Sequence, residues 1–363
     1  MATNNQELVI GIPRGMSYYN NYPFWHGFFS ALGFKIVLSD PTTKQTMSEG
    51  SALVVTETCL PIKIYLGHIL NLINKKGVKN IFVPSLQSIA PKIYNCSKIR
   101  GLPDLVRNVV KGEYNLIEAT LDKSAKNQGL YSFLAEAVKP FGITDMDKIK
   151  QASKQGWRVY NNFLVMMRSG VSYKKALKNA IDGKVLIETS SSSAPINVAL
   201  VSHGYNIYDE RACMKIFDKL EGMDVKVFTS LQLTDEQMEE GILSLGQHKY
   251  WANECEMTGT AGHYLKDNKI DGIITLNAFG CGPDSLMIER VTRKAKEAGK
   301  PLLSLTIDEH TGEAGFITRL EAFIDMLYRK KRSKIINDIS ISEYDYVPQT
   351  NICENVLSEK NYG

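Results

Sequence analysis

The sequence lacks several patterns that would assign it directly to a well-known class. Its 363 residues contain no G-x-x-x-x-G-K-[ST] phosphate loop and no complete dinucleotide fingerprint, so neither an internal ATPase site nor an NAD site is supported. No C-x-x-C occurs, and the usual spacings of ferredoxins and zinc ribbons are therefore absent. No apolar run of about 18 residues is free of charge, which argues against a membrane span.

Charge of one sign is not in excess either. The chain has 43 basic and 39 acidic residues and a net charge of +4, and its one basic block is residues 329–332. This balance predicts no nucleic-acid partner. Residues 1–7 lack the basic and apolar regions of a signal peptide, so we expect a cytoplasmic protein. Six dispersed cysteines in a chain of this length favour free thiols or metal ligands over disulfides.

Apolar runs typical of buried strands alternate with helical stretches along most of the chain. This alternation predicts an α/β protein with two Rossmann-like parallel-sheet lobes and a helical connection. The predicted strands are residues 8–12, 35–38, 53–56 and 80–84 in the first lobe, and 196–201, 225–228, 273–276 and 301–307 in the second. The predicted divisions are a first lobe at 1–143, a helical segment with a Ser-rich linker at 144–194, a second lobe at 195–332, and a tail at 333–363.

Three cysteines stand just past predicted strands. Cys281 lies between Gly280 and Gly282 on a strand-to-helix turn, while Cys59 and Cys96 follow the third and fourth predicted strands. Open α/β sheets bind ligands at the carboxyl ends of their strands, and a helix N-terminus favours a thiolate. We therefore expect the three thiolates to meet in one cleft and to hold an iron–sulfur cluster with one iron left open. The alternative for Cys281 is a small buried apolar side chain.

Three polar residues are candidates for the rim of that cleft. Arg14 follows the first strand and would hold an anionic substrate, while Glu57 and His310 are placed to supply a proton. The alternatives are a salt bridge across the rim for Arg14 and Glu57, and a structural hydrogen bond for His310.

Five stretches of the sequence resemble the acyl-CoA dehydratase activase-related proteins: residues 10–15, 22–25, 57–63, 279–285 and 308–315. This family is similar to the iron–sulfur subunits of 2-hydroxyacyl-CoA dehydratases and to the double-cubane cluster proteins. The resemblance implies two Rossmann-like lobes with a cysteine-bound cluster between them, reduced by a separate ATP-dependent activase. It places Cys59, Cys96 and Cys281 at the positions of the cluster ligands.

The resemblance leaves several functions open. The first hypothesis is a redox protein with one [4Fe-4S] cluster that accepts electrons from the activase and passes them to a small substrate, to an acyl-CoA or to a partner enzyme. The second is an accessory or cluster-carrying scaffold, and the third is a structural zinc protein. Cys213, Cys255 and Cys353 are expected to be structural thiols, although six cysteines would also suffice for a double-cubane [8Fe-9S] cluster. A homodimer is a further expectation.

Overall fold

Two β-sheets, one in each half of the chain, form the frame of the molecule. The computed structural model describes residues 7–126, 128–188, 194–246 and 251–344. The strands are β1 (Val9–Ile12), β2 (Lys35–Leu38), β3 (Asn80–Ala90), β4 (Ile93–Tyr94), β5 (Asn115–Asp122), β6 (Ile196–Val201), β7 (Val225–Phe228), β8 (Gly272–Ala278) and β9 (Leu302–Ile307).

Helices lie between these strands and connect the two halves. They are α1 (Tyr18–Ala31), α2 (Lys44–Ser51), α3 (Leu60–Leu70), α4 (Ser97–Arg100), α5 (Leu102–Val109), α6 (Leu130–Val138), α7 (Met146–Arg168), α8 (Tyr173–Ile181), α9 (Gly204–Ile207), α10 (Ile216–Glu221), α11 (Asp235–Ser244), α12 (Ala252–Lys266), α13 (Gly282–Glu297) and α14 (Glu313–Tyr344). None of the helices in the described part of the chain combines the length and the apolar character that a membrane span requires.

The two sheets share one strand order. The first runs β2-β1-β3-β5, with the short β4 antiparallel to the end of β3, and the second runs β7-β6-β8-β9. All the other pairings are parallel, which confirms the predicted α/β fold with two Rossmann-like lobes. The strand order reverses between β1 and β3 and again between β6 and β8, and a parallel sheet opens a ligand crevice at such a point.

The hydrophobic core joins the two lobes. One cluster of buried side chains includes Ile10 of the first sheet, Val198 of the second, and the aromatic residues of α1. Helix α1 lies tightly against α7, because a β-carbon added at Gly27 would be only 2.7 Å from the carbonyl oxygen of Gln155. Burial of this apolar surface is the dominant stabilising term, so the lobes are held in contact by the core itself.

Several predicted elements differ from the structure. The predicted strand 53–56 is wrong, since these residues form turns and Val55 is 70% exposed. A run as short as Leu53-Val54-Val55 cannot by itself distinguish a buried strand from a turn. Helix α10 begins only at Ile216, because Met214 and Lys215 have positive φ angles. The serine run 189–193 and Cys353 lie outside the described residues.

Candidate functional site

Each of the three predicted ligand cysteines immediately precedes a helix. Cys59 precedes α3, Cys96 precedes α4 and Cys281 precedes α13, and all three have extended backbone conformations. All three are free thiols. The first N–H groups of a helix have no partner within it, and together with the helix dipole they stabilise a thiolate at that position. Cys59 follows a turn instead of a strand, so the N-terminal helix position is the feature that the three share.

The loops that carry Cys59 and Cys281 are in direct contact although they belong to different lobes. Gly280 has a φ angle of +77°, and a β-carbon there would lie 2.9 Å from the carbonyl oxygen of Glu57 and 3.7 Å from the Cα of Cys59. Only glycine tolerates both this backbone conformation and this approach without strain. The contact therefore brings Cys281 beside Cys59.

Cys96 completes the group, and Tyr205 lies among the three thiols. Burial raises the pKa of the Tyr205 phenol well above its usual range, and the negative charges of Asp284 and of the three thiolates raise it further. Burial likewise raises the pKa of the Cys59 thiol, where the nearby Lys98 acts in the opposite direction. Groups that shift one another's pKa in this way lie in one electrostatic environment.

Two kinds of metal centre, a single zinc ion and an iron–sulfur cluster, differ in how far apart their thiolate ligands lie. In residues 7–126, 128–188, 194–246 and 251–344, no three His, Cys, Asp or Glu side chains converge closely enough to hold a single metal ion. Three thiolates on one Zn²⁺, each at about 2.3 Å, would have to lie within about 4 Å of one another. A cubane binds its thiolates through different iron atoms, so its ligands are further apart. The three thiols therefore do not form a single-metal site in the described part of the chain.

A buried chain of hydrogen bonds leads away from Cys281. The carboxylate of Asp284 lies 2.8 Å from Nε2 of His203, and Nδ1 of His203 lies 3.3 Å from Oε2 of Glu256. His203 and Asp284 are almost completely buried. Both ring nitrogens face carboxylate oxygens, which can only accept, so His203 is an imidazolium that donates from both. Burial lowers the pKa of His203, but Asp284 and Glu256 outweigh that effect and raise it to about 10.

Sequence analysis did not predict these three residues as functional. His203 lies at the end of β6 and Asp284 lies near the end of β8, and these adjacent strands flank the crevice of the second sheet. That shared strand-end position is the signal that could have identified His203 and Asp284. Glu256 lies in the middle of α12 and gives no such signal.

Two known families match this chain. The model of the CoA enzyme activase uncharacterised domain (DUF2229) matches residues 9–233, which is more than half of the chain. The chain belongs to this family. The model of the 2-hydroxyglutaryl-CoA dehydratase D-component matches residues 163–327, so the two matches overlap from the end of α7 into the second lobe. A comparison with curated proteins gives no match. The two matches relate the chain to the 2-hydroxyacyl-CoA dehydratase/activase system and confirm the family resemblance.

The predicted rim residues lie in three different surroundings in this family member. Glu57 is exposed, and its backbone oxygen faces Gly280. His310 is 84% exposed on the turn before α14. Arg14 is partly buried, with its guanidinium carbon 6.0 Å from the centre of the Tyr18 ring, and within the described residues its Nε has no hydrogen-bond partner. The structure thus brings the three cysteines together but does not unite Arg14, Glu57 and His310 in one arrangement, and their roles stay predictions.

Glu309, the residue before His310, forms an ion pair close to Cys59. Nζ of Lys63, in the helix that follows Cys59, lies 2.5 Å from Oε1 of Glu309 and also donates to the carbonyl oxygen of Thr56 at 2.8 Å. The Lys63 side chain is 3% exposed and that of Glu309 is 17% exposed. This ion pair ties the loop after β9 to the turn before Cys59, so it holds the two lobes together at the site.

A cavity of about 460 Å³ lies between the lobes. Its polar lining includes Tyr205, which neighbours the three thiols, together with Glu256, Asn20 and Ser230. The rest of its wall is largely apolar, with contributions from both sheets' loops and from α7 and α11. Concave, mostly apolar cavities of this size with a few polar groups are typical of small-molecule sites.

Proposed function

We propose that this protein carries an iron–sulfur cluster on Cys59, Cys96 and Cys281 and works as a low-potential redox component. A separate ATP-dependent activase would reduce it, and the electrons would pass to a small substrate or to a partner enzyme. The observation that carries the proposal is the contact between Gly280 and the turn at Glu57, which joins thiols from opposite lobes. The dehydratase D-component family, which matches the second half of the chain, is generally associated with iron–sulfur clusters.

The surroundings of the thiols support a buried redox centre. When bound, the cluster would supply one-electron transfer at low potential, which no amino-acid side chain of this site provides. The chain itself contributes three thiolates at helix N-termini, and the Tyr205 ring lies beside them. Because burial raises the pKa of Cys59 and Cys281 in the metal-free protein, loading the cluster would release protons.

One [4Fe-4S] cluster accounts for the described thiols better than an [8Fe-9S] double cubane. Cys213 belongs to the hydrophobic core, where burial raises its pKa to about 12. The Cys255 thiol donates to the carbonyl oxygen of Trp251, the residue before α12. We therefore propose that the three cysteines whose charges act on Tyr205 bind the cluster.

The electron-donating partner would dock where the site reaches the surface. Three large apolar side chains there are strongly exposed: Val55 in the turn before Cys59, Phe279 in the loop before Cys281, and Leu286 in the second turn of α13. Exposed apolar side chains on neighbouring segments are a common mark of a protein–protein contact. We propose that this rim receives the activase.

Metal analysis on anaerobically purified protein tests the proposal. Wild type should contain iron and acid-labile sulfide and should show an EPR signal on reduction. Cys59→Ala, Cys96→Ala and Cys281→Ala should each lose most of the iron, whereas the core variant Cys213→Ala should keep it. Full iron with an unchanged spectrum in Cys281→Ala would refute the ligand assignment, and strong iron loss in Cys213→Ala would favour a double cubane.

A second experiment separates a redox component from a passive scaffold. When purified activase is added with ATP and with dithionite as the electron source, the wild-type cluster should become reduced. When ATP is omitted, the cluster should stay oxidised. A cluster that stays oxidised in the presence of ATP and activase would instead support the accessory function.

A further inference from the structure

The inter-lobe cavity contains one acid that is connected to a buried proton source. Glu256 lines the cavity, and its Oε2 lies 3.3 Å from Nδ1 of His203. Its other oxygen, Oε1, accepts from Ser230 at 2.9 Å and lies 3.5 Å from Nδ2 of Asn20, which belongs to the first lobe. Glu256 is thus fixed at the boundary between the lobes with one oxygen directed to His203.

His203 is held so that it can give a proton only toward the cavity. Its Nε2–H is bound by the buried carboxylate of Asp284, which keeps that side of the ring occupied. Its ring also stacks on Tyr205, with the ring centres 4.9 Å apart and the planes 28° apart. The Nδ1 proton, which faces Glu256, is therefore the mobile one, as the position of a histidine proton is set by the bond that the other nitrogen makes.

The same chain of residues lies beside both the thiols and the cavity. Tyr205 neighbours the three cysteines and lines the cavity, and Asp284 neighbours Cys281. An electron that arrives through the cysteine site would therefore reach a ligand in the cavity close to an available proton. Reduction of a small molecule adds negative charge, which a nearby general acid can neutralise.

We propose that Glu256 transfers protons to a ligand bound in the inter-lobe cavity and that His203, fixed by Asp284, is the positioning residue that supplies them. The assignment rests on the proposed redox function. The ligand class is a small carbonyl compound with an apolar body, because the wall is mostly apolar and its polar groups include Asn20 and Arg168, which can donate hydrogen bonds to a carbonyl oxygen.

A reduced cluster on the three cysteines would supply one electron to the ligand. The ionised Glu256 takes the Nδ1 proton of His203 and passes it to the ligand oxygen. This leaves Glu256 ionised again and a neutral imidazole whose Nε2–H still donates to Asp284. Solvent protons entering through the open side of the cavity restore the imidazolium, and a second electron and proton complete a two-electron reduction.

The other titratable groups around Glu256 come from three elements. Tyr160 of α7 and Tyr208 after α9 both feel its charge, and burial raises the pKa of each phenol so that it stays protonated near neutral pH. Asp235 and Glu239 of α11 and Arg168 of α7 also lie in the cavity wall. The hydrogen bond from Nδ1 makes His203 the group through which a proton reaches Glu256.

The test compares Glu256→Gln with Glu239→Gln, which changes another acid of the cavity wall. The first readout is the ¹⁵N NMR titration of labelled histidines in the anaerobic protein, with His203→Gln used to assign the signal. Glu256→Gln should lower the pH at which His203 loses its Nδ1 proton, and Glu239→Gln should leave it unchanged. An identical His203 titration in wild type and Glu256→Gln would overturn the proposal.

The second readout uses cyclohexenone as a carbonyl probe with holoprotein that is reduced by the activase, ATP and dithionite. Glu256→Gln should keep its iron and EPR signal but reduce the probe about 10²-fold more slowly or worse, as expected for loss of a general acid. A variant rate within about threefold of wild type, or an iron-loaded wild type that does not reduce the probe, would refute the assignment. Absence of iron in wild type would instead refute the proposed function and leave the NMR result to decide the role of Glu256.

Discussion

Replacement of Lys63 by methionine should destabilise the contact between the lobes beside Cys59. Methionine keeps the length and most of the apolar stem of lysine but removes the charge and its two hydrogen bonds. Glu309 would then keep a largely buried negative charge without its partner. Removal of one member of a buried ion pair typically costs about 3–5 kcal/mol.

The expected cost here is lower because part of the site is open to water. The Glu309 side chain is 17% exposed. Thr56 is exposed as well, so the Thr56 carbonyl oxygen can be hydrated after the substitution. We therefore expect a loss of about 2–3 kcal/mol in the free energy of unfolding. The matched control is Lys76→Met, since Lys76 lies 2.5 Å from Asp40 in a pair whose side chains are both about one-third exposed. A pair of that kind contributes about 0–1 kcal/mol.

Urea unfolding followed by circular dichroism would measure both variants against wild type. The double variant with Glu309→Leu should recover part of the loss, because the unpaired charge is then absent, and the cycle gives the coupling energy of the pair. If Lys63→Met lowers the free energy of unfolding no more than Lys76→Met does, the argument that burial strengthens the Lys63–Glu309 pair is refuted.

The effect of Lys63→Met should also depend on pH. Burial raises the pKa of Glu309, but the hydrogen bond and the charge of Lys63, a backbone hydrogen bond and the charge of His310 together outweigh it and lower the pKa below the usual value. A carboxyl group with a lowered pKa in the folded protein stabilises it above about pH 4.5, and this stabilisation is lost as pH falls through the folded-state value. The difference in the free energy of unfolding between wild type and Lys63→Met should therefore be full at pH 7 and become smaller below about pH 4.5.

Two further predictions concern the cysteine site. Gly280→Ala should lower the stability and the iron content, because alanine at this positive φ costs about 1–2 kcal/mol and its methyl group would press on the Glu57 carbonyl oxygen. A β-carbon added at Gly282 meets no atom within 4 Å, so Gly282→Ala should be close to wild type in thermal unfolding and iron analysis. Equal effects of the two substitutions would contradict the close approach of Gly280 to Glu57. Because the pKa of His203 is raised to about 10, its contribution to stability should be full below about pH 6.5 and lost as the pH rises toward 10. In urea unfolding, wild type should therefore lose more stability than His203→Gln across that interval. Parallel curves for the two proteins would argue against the imidazolium.

Elements with a local signal could be predicted from the amino-acid sequence. The alternation of apolar runs and amphipathic stretches predicted the two lobes, with the strands at residues 196–201 and 225–228 found as expected. Cys281 was located on its strand-to-helix turn because the buried strand, the two glycines and the helix start all lie within a few residues of it. Where the local signal was ambiguous, as at Val55, the prediction of a strand was wrong.

Contacts between residues far apart in the chain could not be predicted in this way and became visible in the folded structure. Lys63 and Glu309 are 246 positions apart in the chain, and His203 and Asp284 are 81 apart, so no periodicity or spacing could pair them. These contacts depend on how the two sheets face each other, which follows from packing of the whole core and not from any short segment. The same holds for Glu256, which looks like an ordinary helical acid until the fold places it between His203 and a cavity.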